Sequence, residues 1–147
     1  MDLESAGKLI VVDSTGGGKS LITFMSAVTV AGISLLIIPL LSLTANQLSH
    51  IKKAVSKYRI VTAHHLNDLS STDLNDSIIP MMDAFPYESL STMLLLCSPQ
   101  FIIEHPAFKD ALIRAYLRRL LRRVVLDEAQ IYAQHGCSLR TLIRIFQ

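Results

Sequence analysis

Tryptophan is absent from these 147 residues, and cysteine occurs only twice, at Cys97 and Cys137. Two cysteines so placed have no metal-ligand spacing and make no disulfide framework, so a reduced, intracellular compartment is expected. Positive charge is only slightly in excess: 14 Lys and Arg against 12 Asp and Glu leave +2 with His neutral. A balance so near zero excludes nucleic-acid binding by bulk charge, and any such contact needs a local patch. Met1 is followed by the acidic Asp2 and Glu4 rather than a basic run, so no secretory signal is expected. Charge is missing altogether from Ser20 to Ile51. About twenty apolar residues would span a bilayer, yet Gly32, Pro39 and interspersed Ser and Thr interrupt this run. A helix followed by a buried strand accounts for it better than a membrane span over residues 20–43. Apolar side chains are plentiful, 50% of the chain against 18% charged, enough for the core of one folded domain.

The chain is organised around Thr15-Gly16-Gly17-Gly18-Lys19-Ser20. This string follows the apolar run Leu9-Ile10-Val11-Val12 and opens an apolar segment of helical length. Strand, glycine turn, Lys-Ser and helix, in that order, form the context of a phosphate-cradling loop. Glycines let the backbone approach a ligand closely, and their N–H groups converge on phosphate oxygens at the positive end of the helix. Lys19 would reach the β- and γ-phosphates, and the Ser20 hydroxyl would be a ligand of Mg²⁺. One departure from the general pattern is Asp13, where a first glycine is usual. The bland alternative is a tight strand-to-helix turn, so a matching acidic strand end decides the question.

Apolar runs and turn residues predict strands from Leu9 to Ser14, Ile33 to Ile38, Tyr58 to Ala63, Thr92 to Cys97 and Arg123 to Glu128. Helices are expected from Lys19 to Ala31, ended by Gly32, from Leu43 to Lys57 and from Phe108 to Leu121. His64 to Asp76 reads as a polar surface loop, running into a short helix through Ile78, Ile79 and Met82. The adjacent His64 and His65 point apart, which disfavours a metal site. Alternating strands and helices imply an α/β domain with a mostly parallel sheet and right-handed crossovers. Such sheets bind ligands at the carboxyl ends of their strands. Asp127 and Glu128 fall at that edge with the glycine turn. There Asp127 could complete a Mg²⁺ shell, and Glu128 could polarise an attacking water.

Four strings, Thr15 to Ser20, Pro39-Leu40-Leu41-Ser42-Leu43 with Gln47, Ser98-Pro99-Gln100 and Asp127-Glu128-Ala129-Gln130, occur in this order. In that order they resemble the motifs of DEAD/DEAH-box helicases, and most of all the first RecA-like domain of RecQ-type superfamily 2 enzymes. The resemblance covers about residues 9 to 140. It implies a three-layer P-loop NTPase fold, with ATP and Mg²⁺ as cofactors. It also implies single-stranded or duplex nucleic acid as partner, DNA favoured over RNA, with a nuclear location if the source is eukaryotic. Thr15, Gly16, Gly17, Gly18, Lys19 and Ser20 correspond to the nucleotide loop, Ser20 and Asp127 to the metal ligands. Lys19, Asp127, Glu128 and Gln130 correspond to the catalytic group, with Gln130 replacing the usual His. Pro39, Leu41, Ser42, Gln47, Ser98, Pro99, Gln100 and Arg140 correspond to residues that grip a nucleic-acid backbone, contacts that are blind to sequence.

Departures accompany the resemblance. The aromatic-rich loop after the acidic motif has His135 and Leu139 where Trp and Phe are usual, although Gln134, Gly136 and Arg140 fit. No Gln precedes Leu9 to match the adenine-reading motif, and the sequence ends at Gln147, before the Ser-Ala-Thr-type motif and the second RecA-like domain. The expectation is therefore residues 1–147 as a single, incomplete ATP-binding domain, a slow ATPase by itself, with the second domain supplied elsewhere. The alternative is a catalytically inactive remnant that binds nucleotide or nucleic acid. Arg114, Arg118 and Arg122 recur every four residues and would share a helix face if the helix reaches that far, flanked by Arg119 and Arg123. That face reads as solvated, or as a nucleic-acid or partner contact.

Overall fold

In a computed structural model, residues 29–38, 49, 53 and 61–127 are described. Their centre is a four-stranded, all-parallel sheet with the order β2-β3-β1-β4. The strands are β1 (Gly32–Ile37), β2 (Val61–His65), β3 (Thr92–Cys97) and β4 (Leu121–Leu126). β1 and β3 are buried at every position. That is why both read as mainly apolar runs, with Ser34 and Thr92 as their buried polar residues, as strands covered on two faces do. Ile33, Leu35 and Ile37 join Met93, Leu95 and Cys97 on one face, and Leu36 and Ile38 join Leu94 and Leu96 on the other. The outer strands of this order carry the exposed polar residues: Thr62 in β2 and Arg122 and Arg123 in β4.

The uncharged run thus contains a central strand, and among the described residues no helix is long and apolar enough to cross a membrane. Thr29, Val30 and Ala31 lie in a bend rather than in the helix expected to include them. Gly32, expected to end that helix, instead opens β1 with φ +122°. The first expected strand, Leu9 to Ser14, lies outside the described residues. Ser49 and Lys53, the described residues of the helix expected from Leu43 to Lys57, are both helical.

The polar stretch after β2 is helical earlier than expected, and the short helix expected through Ile78, Ile79 and Met82 is present. A 3₁₀ turn, Leu66–Asp68, leads into α1 (Ser71–Asp73), a π-helical turn Leu74–Ile78 and α2 (Ile79–Asp83). Ser70 caps the start: its Oγ accepts from the Asp73 N–H at 3.1 Å and donates to Asp73 Oδ2 at 2.7 Å. This is the Ser-x-x-acid signature of a helix N-terminus. Leu74, Ile78 and Met82, spaced by four, are the buried residues of the run. Pro80 cannot donate to the carbonyl one turn back, and the backbone widens into the π turn just before it.

After β3, α3 (Pro99–Glu104) and α4 (Pro106–Leu117) each begin with proline, the residue suited to a first helical turn. Phe108, Ala111, Leu112 and Ala115 form the buried stripe of α4, and Phe108 meets Phe101 edge-on at 5.5 Å. Helix α4 ends earlier than expected. The Arg119 N–H donates to Tyr116 O at 2.9 Å and the Leu120 N–H to Ala115 O at 2.9 Å, with Arg119 at φ +59°. These paired bonds make a Schellman motif, whose left-handed position favours glycine. Relief of about 1–2 kcal/mol of backbone strain is opposed by about 0.4–1 kcal/mol of added unfolded-state entropy. Arg119→Gly is therefore expected to stabilise the chain by about 0.5–1 kcal/mol, read as a higher urea midpoint; a lower one would contradict this account of the helix end.

Candidate functional site

Because the four strands run in one direction, their carboxyl ends share one edge. Ile37 is in register with Cys97 on one side and Leu126 on the other, so Ile38, Ser98 and Asp127 each follow the last paired row. Two backbone bonds hold them there: Ile38 N–H donates to Cys97 O at 3.0 Å, and Asp127 N–H donates to Ile37 O at 2.9 Å. Ser98 and Asp127 are thus separated by two strand spacings, about 10 Å.

Asp127 is half-buried at the end of β4. Its hard carboxylate oxygens suit Mg²⁺, which takes one or two carboxylates and completes its octahedron with water and phosphate oxygens. The rest of the expected nucleotide site (Thr15, Gly16, Gly17, Gly18, Lys19, Ser20, Glu128 and Gln130) lies outside the described residues. So do Pro39, Leu41, Ser42, Gln47 and Arg140.

Ser98-Pro99-Gln100 joins β3 to α3. Ser98 is buried, 3% exposed, and its Oγ accepts from the Phe101 N–H at 3.2 Å, capping the helix. A second donor is Asn67 Nδ2, 2.9 Å from the same oxygen, while Asn67 Oδ1 accepts from the Ser98 N–H at 2.9 Å. Both lone pairs and the backbone N–H of Ser98 are therefore engaged inside the protein. Pro99 is half-buried and Gln100 exposed, its Nε2 donating to Glu104 Oε1 at 2.9 Å. Of these three residues, Pro99 and Gln100 face outward and Ser98 anchors them. Asn67 escaped the sequence reading, because an amide in a polar stretch resembles any solvated loop residue.

The arginines do not form the expected helix face. Arg114 donates from Nε and Nη2 to the two carboxylate oxygens of Asp83, each at 3.0 Å, and this hydrogen bond pushes the guanidinium further up from its ordinary value. Arg118 Nη1 donates to the Asp83 carbonyl at 2.7 Å. Arg114 and Arg118 thereby fasten α4 to the end of α2, while Arg122 and Arg123 belong to β4 because the Schellman motif has already ended the helix. Cys97 is buried within β3, and loss of solvent pushes its thiol far up, so it packs as a small apolar group. His64 and His65 close β2 instead of lying in a loop, and His65 Nδ1 is 2.7 Å from Asp68 Oδ2.

Comparison with known proteins places this edge in context. The sequence pattern of the DEAD/DEAH box helicase family matches residues 2–147. The chain is 30% identical to the ATP-dependent DNA helicase hus2/rqh1 of Schizosaccharomyces pombe over 140 residues, 92% of this chain and 10% of that protein. It is 29% identical to the ATP-dependent DNA helicase Q1 of Pongo abelii over 141 residues, 95% of this chain and 20% of the relative. The ATP-dependent helicase SGS1 of Saccharomyces cerevisiae is 28% identical over 136 residues, covering 90% of this chain and 9% of its own length. The chain therefore spans between a tenth and a fifth of the length of the relatives hus2/rqh1 and Q1. No solved structure matches at a significant level.

Proposed function

Because the chain belongs to the DEAD/DEAH box helicase family, we propose that it is the first, RecA-like ATP-binding domain of a RecQ-like DNA helicase. In this reading residues 1–147 belong to one ATP-binding domain that binds Mg·ATP and single-stranded nucleic acid. The observation that carries it is the shared edge: Asp127 and the Ser98-Pro99-Gln100 turn flank β1 on the same side of a parallel sheet. A nucleotide group and a strand-gripping group on one rim are what coupling hydrolysis to movement requires.

The residues divide the work by chemistry. Backbone N–H groups of Thr15, Gly16, Gly17 and Gly18 cradle the phosphates, and Lys19 adds a point charge at the β- and γ-positions. Ser20 and Asp127 would hold Mg²⁺, which would supply positive charge against the charge developing on the phosphates. Glu128 orients the attacking water and takes its proton, and Gln130 belongs to the same catalytic group. Pro39, Leu41, Ser42, Gln47, Pro99, Gln100 and Arg140 grip the nucleic-acid backbone, while Ser98 fixes the turn beneath Pro99 and Gln100. DNA is favoured because hus2/rqh1 and Q1 are named DNA helicases; in a eukaryotic cell that puts the work in the nucleus. An arginine finger is worth roughly three to five decades in turnover, so residues 1–147 assayed by themselves are expected to hydrolyse ATP slowly.

Titration of a fluorescent ATP analogue tests the reading. Lys19→Ala is expected to bind it about 10- to 100-fold more weakly, the equivalent of about 1.5–3 kcal/mol for a charged contact. Equal binding would remove the nucleotide site from this loop. Phosphate release that disappears in Glu128→Gln excludes the inactive-remnant alternative, whereas release at background in the wild type favours it.

A further inference from the structure

Asn67 and Ser98 lie 31 positions apart in sequence, yet they are joined by two hydrogen bonds of 2.9 Å running in opposite directions. The Asn67 carboxamide works as a clip. Its oxygen takes the Ser98 N–H, and its nitrogen supplies one of the two donors that fill the Ser98 hydroxyl oxygen. The other donor is the Phe101 N–H, so the same hydroxyl that Asn67 holds also sets where α3 begins.

Asn67 is itself held on both sides. Leu66 is fully buried, the Leu69 N–H closes the turn onto Leu66 O at 3.0 Å, and His65 Nδ1 pairs with Asp68 Oδ2 at 2.7 Å. The amide cannot turn over without setting Nδ2 against the Ser98 N–H, donor against donor, so its orientation is fixed by the network. A short, rigid turn at the end of β2 thus dictates the position of the exposed Gln100 and half-buried Pro99 at the end of β3.

We infer that Asn67 is a positioning residue for nucleic-acid binding: it presents Pro99 and Gln100 to a single-stranded backbone by clamping Ser98 from the neighbouring strand end. The inference rests on the reading of this edge as the nucleic-acid grip. Asn67 spends one amide N–H and its carbonyl oxygen on Ser98, and its effect passes through Ser98. Contacts to a backbone depend on small displacements, so loosening the turn weakens the strand without touching the nucleotide loop.

The test uses the full chain, a fluorescein-labelled oligo-dT for anisotropy and a fluorescent ATP analogue for the second site, both well below the melting midpoint. Asn67→Ala is expected to bind oligo-dT about tenfold more weakly, with nucleotide affinity within about twofold of wild type. Asn67→Asp keeps an acceptor for the Ser98 N–H and can accept the Ser98 hydroxyl proton, so it should recover most of the loss. In the double variant Asn67→Ala/Ser98→Ala, the two losses should fall short of adding. The inference is overturned if Asn67→Ala binds oligo-dT as wild type does, or if both ligands weaken together with the melting midpoint. Should Asn67→Ala not fold, Asn67→Asp alone decides, because oligo-dT binding far below wild type in that folded variant contradicts the clip. Wild-type chain that binds nucleotide but no oligo-dT overturns both this inference and the nucleic-acid reading of the edge. Wild-type oligo-dT binding with an unaffected Asn67→Ala overturns the inference alone.

Discussion

Asp127→Asn is expected to remove most of the advantage that Mg²⁺ gives to ATP binding. In the wild-type chain a fluorescent ATP analogue should bind more tightly with Mg²⁺ than with EDTA, and in Asp127→Asn the two titrations should nearly coincide. The loss is about 10- to 100-fold, because a carboxylate next to a divalent cation contributes about 1.5–3 kcal/mol more than a neutral amide. Asparagine has the shape of aspartate, and the Asp127 N–H bond to Ile37 O is a backbone contact, so the strand end should keep its position. An unchanged thermal midpoint together with a lost Mg²⁺ response assigns the effect to the ion. A full Mg²⁺ response in Asp127→Asn would place the metal ligand elsewhere and dissolve the link between the β4 edge and the glycine turn.

Gly32→Ala should lower the stability of the fold by about 4 kcal/mol. Gly32 has φ +122°, and a Cβ there would lie 2.5 Å from Arg122 Cγ and 2.8 Å from the carbonyl oxygen of Leu120. The backbone conformation costs a non-glycine residue about 1–3 kcal/mol, and forcing a methyl group into filled space costs about 1–3 kcal/mol more. A combined loss of about 4 kcal/mol is a large share of the roughly 5–15 kcal/mol that stabilises a domain. The close approach has a purpose: the register between β1 and β4 shifts at Ile33/Ser34, where β4 carries an extra residue, Arg122. Urea unfolding measures the loss. Arg122→Ala in the same chain should restore the part that comes from the side chain and leave the part due to Leu120 O and to φ. No loss of stability in Gly32→Ala would mean that β4 does not pack against the start of β1 in this way.

Arg122 also shows why some of the site was not legible in advance. Spacing by four set Arg114, Arg118 and Arg122 on one imagined helix face, but that pattern holds only while the helix continues. Its end depends on Arg119 taking a left-handed conformation, normally announced by a glycine that is not there. The short helix through Ile78, Ile79 and Met82 was legible, whereas its earlier start at the Ser70 cap was not, because the Ser, Asp and Asn around Leu74 read as a solvated loop. Gly32 was legible as a break and misassigned in kind. A glycine at an element boundary can end a helix or admit a close strand, and only the neighbour across the sheet distinguishes the two.

Local physics determined the alternation of elements. Apolar runs of strand length at β1 and β3 demanded burial, the stripe from Phe108 onward marked α4, and the order of glycine turn, strand ends and acids carried the helicase resemblance; α3 and the start of α4 at Pro106 were not read. Tertiary structure alone decided which strand ends stand side by side. The order β2-β3-β1-β4 sets Asp127 against Ile37, and Asn67 against Ser98. Hydrogen bonds between residues 31 positions apart leave no periodicity along the chain. They arise only once buried apolar faces have fixed the register, and the polar groups at the rim then pair with whatever that register brings to them.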